Sequence, residues 1–336
     1  MKNKWVLRVG ALVVLLITLI LIRNVMELKS PHGVNQARAF YEQPKGKIDV
    51  LAIGSSHIHC GINTAQLWSQ YGIAAYDLST AEQPLWVSYY YLKEAYRYQT
   101  PEVVLLDVFS PARFKEEYHM KYLEEAFYGM RFGINKIEML KVSVPRENYT
   151  DCMPAFLNYH NRYVDLNKED LRNFFGGHKE KENFKGYTPC FDRIDQSEPF
   201  GGWNELEDYS FTDKSREYLQ KIIDLTNENG SELRIIVIPY NMDERDNITY
   251  NQIEKMAEDA KVSFVDYNKL IEEIGIDKAV DFNDQTHLNY WGSVKFADYL
   301  GNTIINETDV TDKRGVSGYE SWDENAKLIM EEVQSK

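Results

Sequence analysis

The chain has 336 residues, 43% hydrophobic and 27% charged, which fits one large globular domain or two small ones and excludes general disorder. Beyond residue 30 it carries 33 basic against 51 acidic side chains, a net charge of −18 that argues against nucleic acid or an acidic membrane surface as a partner. Three cysteines are too few for a disulfide framework, although Cys152 and Cys190 are able to pair outside a cell. The 23 Tyr and 6 Trp suit carbohydrate contact as well as ordinary packing.

At the N-terminus, Lys2, Lys4 and Arg8 precede an apolar run at 9–22 that Arg23 closes. With residues 5–7 and a snorkelling Arg8, the stretch approaches the ~20 residues that span a bilayer. The basic flank predicts that this end stays in the cytoplasm. No small-x-small cleavage site follows Ile22. Residues 1–30 are therefore read as a retained single-pass signal anchor in preference to a cleaved signal peptide, with the rest outside the cytoplasm. Residues 31–46 read as a polar linker.

An apolar run at 48–53 predicts the first strand, and a helix follows at 63–71. Strands at 74–78 and 103–108 flank a helix at 84–98 that Pro84 opens. A helix at 214–229 stops at Asn229-Gly230. A fourth strand at 233–238, a fifth at 262–267 and a helix at 289–305 capped by Asn289 complete the series. This alternation predicts an α/β domain of three layers, with helices on both faces of a five-stranded parallel sheet. Ligands in such sheets bind at the carboxyl ends of the strands. Residues 110–213 form a long insertion, read as a lid or substrate subdomain. Residues 306–336 read as a polar tail with one amphipathic segment at 322–333.

The first strand runs into Gly54-Ser55-Ser56-His57. A strand-to-helix turn there presents the Ser56 hydroxyl clear of the sheet, with backbone N–H groups beside it. Asp284-Gln285-Thr286-His287 places a carboxylate three residues before an imidazole, close enough to orient it. Ser56 as nucleophile, His287 as general base and Asp284 as its orienter are the parts needed for acyl transfer through a serine ester. The bland reading of each piece is a capped tight turn, and a loop acid beside a packed histidine.

Other residues invite roles of their own. His160 and Arg162, in Tyr159-His160-Asn161-Arg162-Tyr163, suit an acyl carbonyl or a glycan oxygen, or a hydrogen bond that pins the insertion. Trp86, Trp203 and Trp68 are candidates to stack on sugar rings, with Trp86 favoured and Trp68 assigned to the core. His57 and His59 have a spacing that recurs in zinc sites, and His287 and Asp284 would complete one. No further Asp-His follows as metallohydrolase patterns require, so neither a metal nor a cofactor is assigned.

Gly54-Ser55-Ser56 and Asp284-Gln285-Thr286-His287, continued by Leu288, Asn289 and Gly292, resemble two sequence blocks of the SGNH (GDSL-type) hydrolase superfamily. The chain is similar above all to membrane-anchored relatives acting on cell-surface polymers, such as the D-alanyl-lipoteichoic acid transfer proteins and alginate O-acetyltransferases. The resemblance covers residues 47–305. It implies strand order 2-1-3-4-5, the catalytic roles given above, and O-acyl transfer or ester hydrolysis on a cell-envelope glycan or polymer. It also implies a multi-spanning membrane acyltransferase as partner and source of the acyl group.

Two blocks depart from the pattern. The family's second block ends in Asn-Leu-Gly, whereas this chain has Asp77-Leu78-Ser79, leaving Ser79 to supply the oxyanion N–H. The third block lacks its Asn, since Asp107-Val108-Phe109-Ser110 follows the strand, and a replacement donor is expected from His57, His160 or Arg162. These substitutions keep a non-catalytic scaffold or binding protein in polysaccharide assembly as the alternative. A metal-dependent esterase using His57, His59 and His287 is the other.

Overall fold

The computed structural model describes residues 2–26, 33–152, 166, 168, 184–197 and 208–336. Five parallel strands, β1 (Val50–Gly54), β2 (Ala75–Ser79), β3 (Val103–Asp107), β4 (Glu232–Val237) and β5 (Ser263–Asp266), form one sheet in the order β2-β1-β3-β4-β5. β1 to β3 are buried along their whole length, as the apolar runs of β1 and of β3 up to Leu106 predict for strands covered on both faces.

Alternate residues supply the two cores. Leu51 and Ile53 of β1 face a core shared with Leu106, Ile235 and the helices Leu85–Ala95 and Asp213–Asn229. Val50 and Ala52 face the other way, onto Leu67, Phe296 and Leu300 of the helices Thr64–Tyr71 and Tyr290–Glu307. The two-residue period of a strand thus sorts one apolar run into two layers.

The register fixes the rim where chemistry is expected. Gly54 pairs with Ser79, and Ile53 pairs with Leu106, so the ends of β1, β2 and β3 lie side by side. A long crossover separates β3 from β4. Its helices Met120–Gly129 and Ile134–Ser143 contribute Leu123, Phe127 and Met139 to the first core. This first part of the 110–213 insertion therefore packs onto the domain.

Two segments read as polar accessories belong to the domain. Within 31–46, the helix Val34–Phe40 is mostly buried, and Tyr76 of β2 donates its hydroxyl to Gln36 O at 2.6 Å. Within 306–336, the helix Glu320–Gln334 packs on Thr64–Tyr71, and Trp322 is 0% exposed with Nε1 bonded to Ala75 O. Each helix buries its apolar residues against the domain, so tertiary packing and not overall polarity decides its fate.

The N-terminal helix Lys2–Met26 contains a 19-residue stretch, Lys4–Ile22, with mean hydropathy 2.7 and no burial against the rest of the protein. It is long and apolar enough to serve as a membrane anchor or a signal sequence.

Candidate active site

The turn after β1 is built by three consecutive residues. Gly54 has φ of +151°, and a Cβ there would stand 2.7 Å from the Asp107 Cβ, so only glycine lets β1 pass β3 this closely. Ser55 caps the helix Ser56–Gly61 by accepting from His57 N at 3.3 Å. Its hydroxyl donates in turn to Asp107 Oδ2 at 2.6 Å. Ser56 then opens the helix, where backbone N–H groups lack intrahelical acceptors.

The second half is a tight loop, closed by an antiparallel bridge between Phe282 and Leu288 and by Asn283 N donating to His287 O at 2.9 Å. Asn289 caps the helix that follows, accepting from Gly292 N at 3.0 Å, as its sequence position predicts. A Cβ on Gly292 would come within 2.3 Å of Asp281 O, so this glycine permits close docking of the helix start on the loop.

These two stretches meet. His287 Nε2 lies 2.8 Å from Ser56 Oγ. On the far side, His287 Nδ1 lies 2.9 Å from both carboxylate oxygens of Asp284. A carboxylate only accepts, so Nδ1 carries the ring proton and Nε2 turns a lone pair toward the serine hydroxyl. Asp284 also accepts from Thr286 N, Thr286 Oγ1, His287 N and Asn283 Nδ2. Burial pushes its carboxyl up, but the bonds from His287, Thr286 and Asn283 and the imidazole charge outweigh this and hold it well below the ordinary range.

The other proposed site residues are distributed as follows. Ser79 is buried, and its hydroxyl lies 3.0 Å from His59 Nδ1. His57 is 1% exposed and stacks on Phe109 at 3.7 Å, with its ring 5.3 Å from that of His287. Among the described residues neither of its ring nitrogens has a hydrogen-bond partner, and burial, with the neighbouring His287, pushes its pKa well down, which favours the neutral ring. His57 and His59 thus engage different neighbours. Among the described residues, no group of three or more His, Cys, Asp or Glu is arranged to hold a metal ion.

Trp86 is 1% exposed and edge-on to Tyr118, so it has no open face for a sugar; the expectation of a stacking platform there is corrected. Its position one residue into a helix that packs on the sheet explains this. Trp68 is a core residue, as expected, with Nε1 donating to Asp323. His160, Arg162 and Trp203 lie outside the described residues.

Several contributors escaped the sequence reading. Asp107 ends β3, and its carboxylate turns inward: Oδ2 accepts from the Ser55 hydroxyl and N–H, and Oδ1 from Phe109 N at 3.2 Å. Burial raises its pKa to about 6 despite these bonds. A strand-terminal Asp after an apolar run was the available signal. Thr286, inside the Asp-x-x-His motif, tightens Asp284, and only its place in the motif hints at this. The strap 187–196 also buttresses the site. Thr188 N donates to His59 O at 2.6 Å, Tyr290 N to Cys190 O at 2.6 Å, and Ile194 N to Phe282 O at 3.0 Å. The Cys152–Cys190 bridge that the sequence left open is not formed. Cys152 is packed in the first core, and Cys190 lies against Cys60.

No family model matches this chain, and no curated protein matches it.

Proposed function

We propose that this chain is a serine-dependent O-acyltransferase or esterase of the SGNH type, acting on a cell-envelope glycan or polymer. The observation that carries the reading is the 2.8 Å approach of His287 Nε2 to Ser56 Oγ, with Asp284 bonded behind the imidazole. The strand order, with Ser56 after β1 and His287 before the last helix on the sheet, supports the same reading.

In this mechanism His287 takes the Ser56 proton as Oγ attacks an acyl carbonyl. The oxyanion is held by the N–H groups of Ser56 and Ser79. Collapse of the tetrahedral intermediate expels the first alcohol, which receives the proton from His287. An acceptor oxygen, from a sugar hydroxyl or from water, then gives its proton to His287 and attacks the acyl carbonyl, and the second intermediate collapses by expelling Ser56 Oγ, which takes the proton back from His287. Lys4–Ile22 serves as a retained anchor, with the domain outside the cytoplasm and a multi-spanning membrane acyltransferase as the acyl source.

A second reading, a non-catalytic scaffold in polysaccharide assembly, is favoured by one feature. The rim end of β3 bears an inward-turned Asp107 and no side-chain amide, and loss of one oxyanion donor costs on the order of 10²–10³ in rate. A fluorophosphonate probe on the full chain separates the two. Labelling abolished by Ser56→Ala supports the enzyme, and an intact protein that never labels supports the scaffold. Hydrolysis of O-acetylated polysaccharide against a simple aryl ester then tests the substrate class.

A further inference from the structure

We infer that Cys60 and Cys190 form a redox modification site, a dithiol that closes to a disulfide and bolts the nucleophile helix to the strap beside the His287 loop. The two Sγ atoms lie 3.7 Å apart, although 130 positions separate them in sequence. A disulfide of about 2.05 Å asks these two sulfurs, 3.7 Å apart, to close the remaining gap.

The surroundings give the pair an asymmetry suited to disulfide exchange. Cys60 is buried near the C-terminal end of Ser56–Gly61. Cys190 is partly exposed on the strap. The contact with Cys60 lowers the Cys190 pKa below its ordinary value, while the same contact and burial raise that of Cys60. Cys190 is thus the more accessible and more acidic of the two thiols, where exchange begins, and Cys60 is the thiol that resolves the mixed disulfide.

The oxidant is a disulfide, either of a low-molecular-weight thiol or of a thiol oxidoreductase. The Cys190 thiolate attacks one of its sulfurs and expels a thiolate, giving a mixed disulfide. Cys60 then loses its proton, attacks the Cys190 sulfur and expels the second thiolate. Two protein thiols and one disulfide become one protein disulfide and two thiols. An extracytoplasmic domain would meet such oxidants routinely.

The bond would lie among contacts that already tie the parts together. Thr188 N is bonded to His59 O, and Tyr290 N to Cys190 O. A covalent link there fixes the elements that bring Ser56 and His287 together.

The test uses the full chain incubated with oxidised glutathione, then alkylated and mapped by mass spectrometry without reduction. A linked peptide pair containing Cys60 and Cys190, with Cys152 still alkylatable, is the expected result. The oxidised protein should also melt at a higher temperature than the dithiothreitol-treated protein, and Cys190→Ser should abolish the difference. Alkylation of both Cys60 and Cys190 after oxidation, or linkage through Cys152, would overturn the inference. Neither readout depends on esterase activity, so this site and the proposed function succeed or fail separately.

Discussion

Ser55 and Asp107 are joined twice, through the serine hydroxyl at 2.6 Å and its backbone N–H at 3.3 Å, both to Oδ2. That bond aims the neighbouring Ser56 from the adjacent strand. Asp107→Ala should leave the buried hydroxyl and N–H of Ser55 and the N–H of Phe109 without acceptors. Each such loss costs about 1–3 kcal/mol. A total of about 3 kcal/mol or more is expected from urea unfolding of the detergent-solubilised chain, together with slower fluorophosphonate labelling. Full labelling at wild-type rate would detach Asp107 from the positioning of Ser56.

Gly54→Ala tests the same junction sterically. The new methyl would meet the Asp107 side chain at 2.7 Å on a backbone with positive φ. Overpacking of this kind costs about 1–3 kcal/mol. Because the clash falls on the carboxylate that holds Ser55, labelling should drop more than stability does. Comparing Gly54→Ala with Gly10→Ala, where a Cβ meets nothing within 4 Å, controls for the substitution itself.

Asp284→Asn replaces an acceptor-only group with an amide. The Asn oxygen still accepts from Thr286 N and His287 N, so the loop keeps its shape. An amide NH₂ facing His287 favours the tautomer with its proton on Nε2, aimed at Ser56. The rate of aryl-ester turnover should fall by about 10³–10⁴, while the circular dichroism spectrum is unchanged. Unaltered turnover would remove Asp284 from the mechanism.

The strands and the closeness of Asp284 to His287 were legible because their signals are local, whereas Ser56 reaches His287 across 231 positions only through the order of the strands. An apolar run buried on both faces reads as itself, and the acid and base sit three residues apart in one loop. What stayed hidden depends on partners far along the chain. Gln36 and Trp322 lie in segments of mixed polarity, and only contact with β2 reveals that they are structural. Trp86 looked like a sugar platform because it lies near the rim in sequence, but the phase of its helix points it into the core. Cys190 found Cys60 and not Cys152 because the strap folds back onto the nucleophile helix, a return that no spacing rule encodes.

Stability should vary with pH through Asp49. Burial raises its carboxyl from the ordinary 3.8 to about 6, against the opposing effects of Lys313 and the Tyr319 hydroxyl. Between these values the native state holds a proton that the unfolded chain has released. Its contribution is therefore complete below about pH 4 and is lost as pH rises through about 6. Asp49→Asn keeps an acceptor for the Tyr319 hydroxyl and removes the titration. Its unfolding free energy should fall less steeply than that of the wild type between pH 4 and 6. Parallel curves would place the titration elsewhere.

Trp322→Ala probes the C-terminal helix. The indole is fully buried, donates to Ala75 O on the edge strand, and lies under Lys185 Nζ at 4.0 Å. Removing a buried Trp costs about 3–5 kcal/mol. A melting temperature within a degree of the wild type would show the helix to be dispensable.

The burial of Val34–Phe40 against β2 brings the folded body close in sequence to the apolar helix. The apolar helix runs to Met26 and the folded body is in place by Gly33, leaving six residues, 27–32, between them. Fully stretched, they reach about 20 Å. If Lys4–Ile22 is held in lipid as proposed, that reach keeps the folded body within a shell about one small protein deep, and any acyl acceptor would have to be met there.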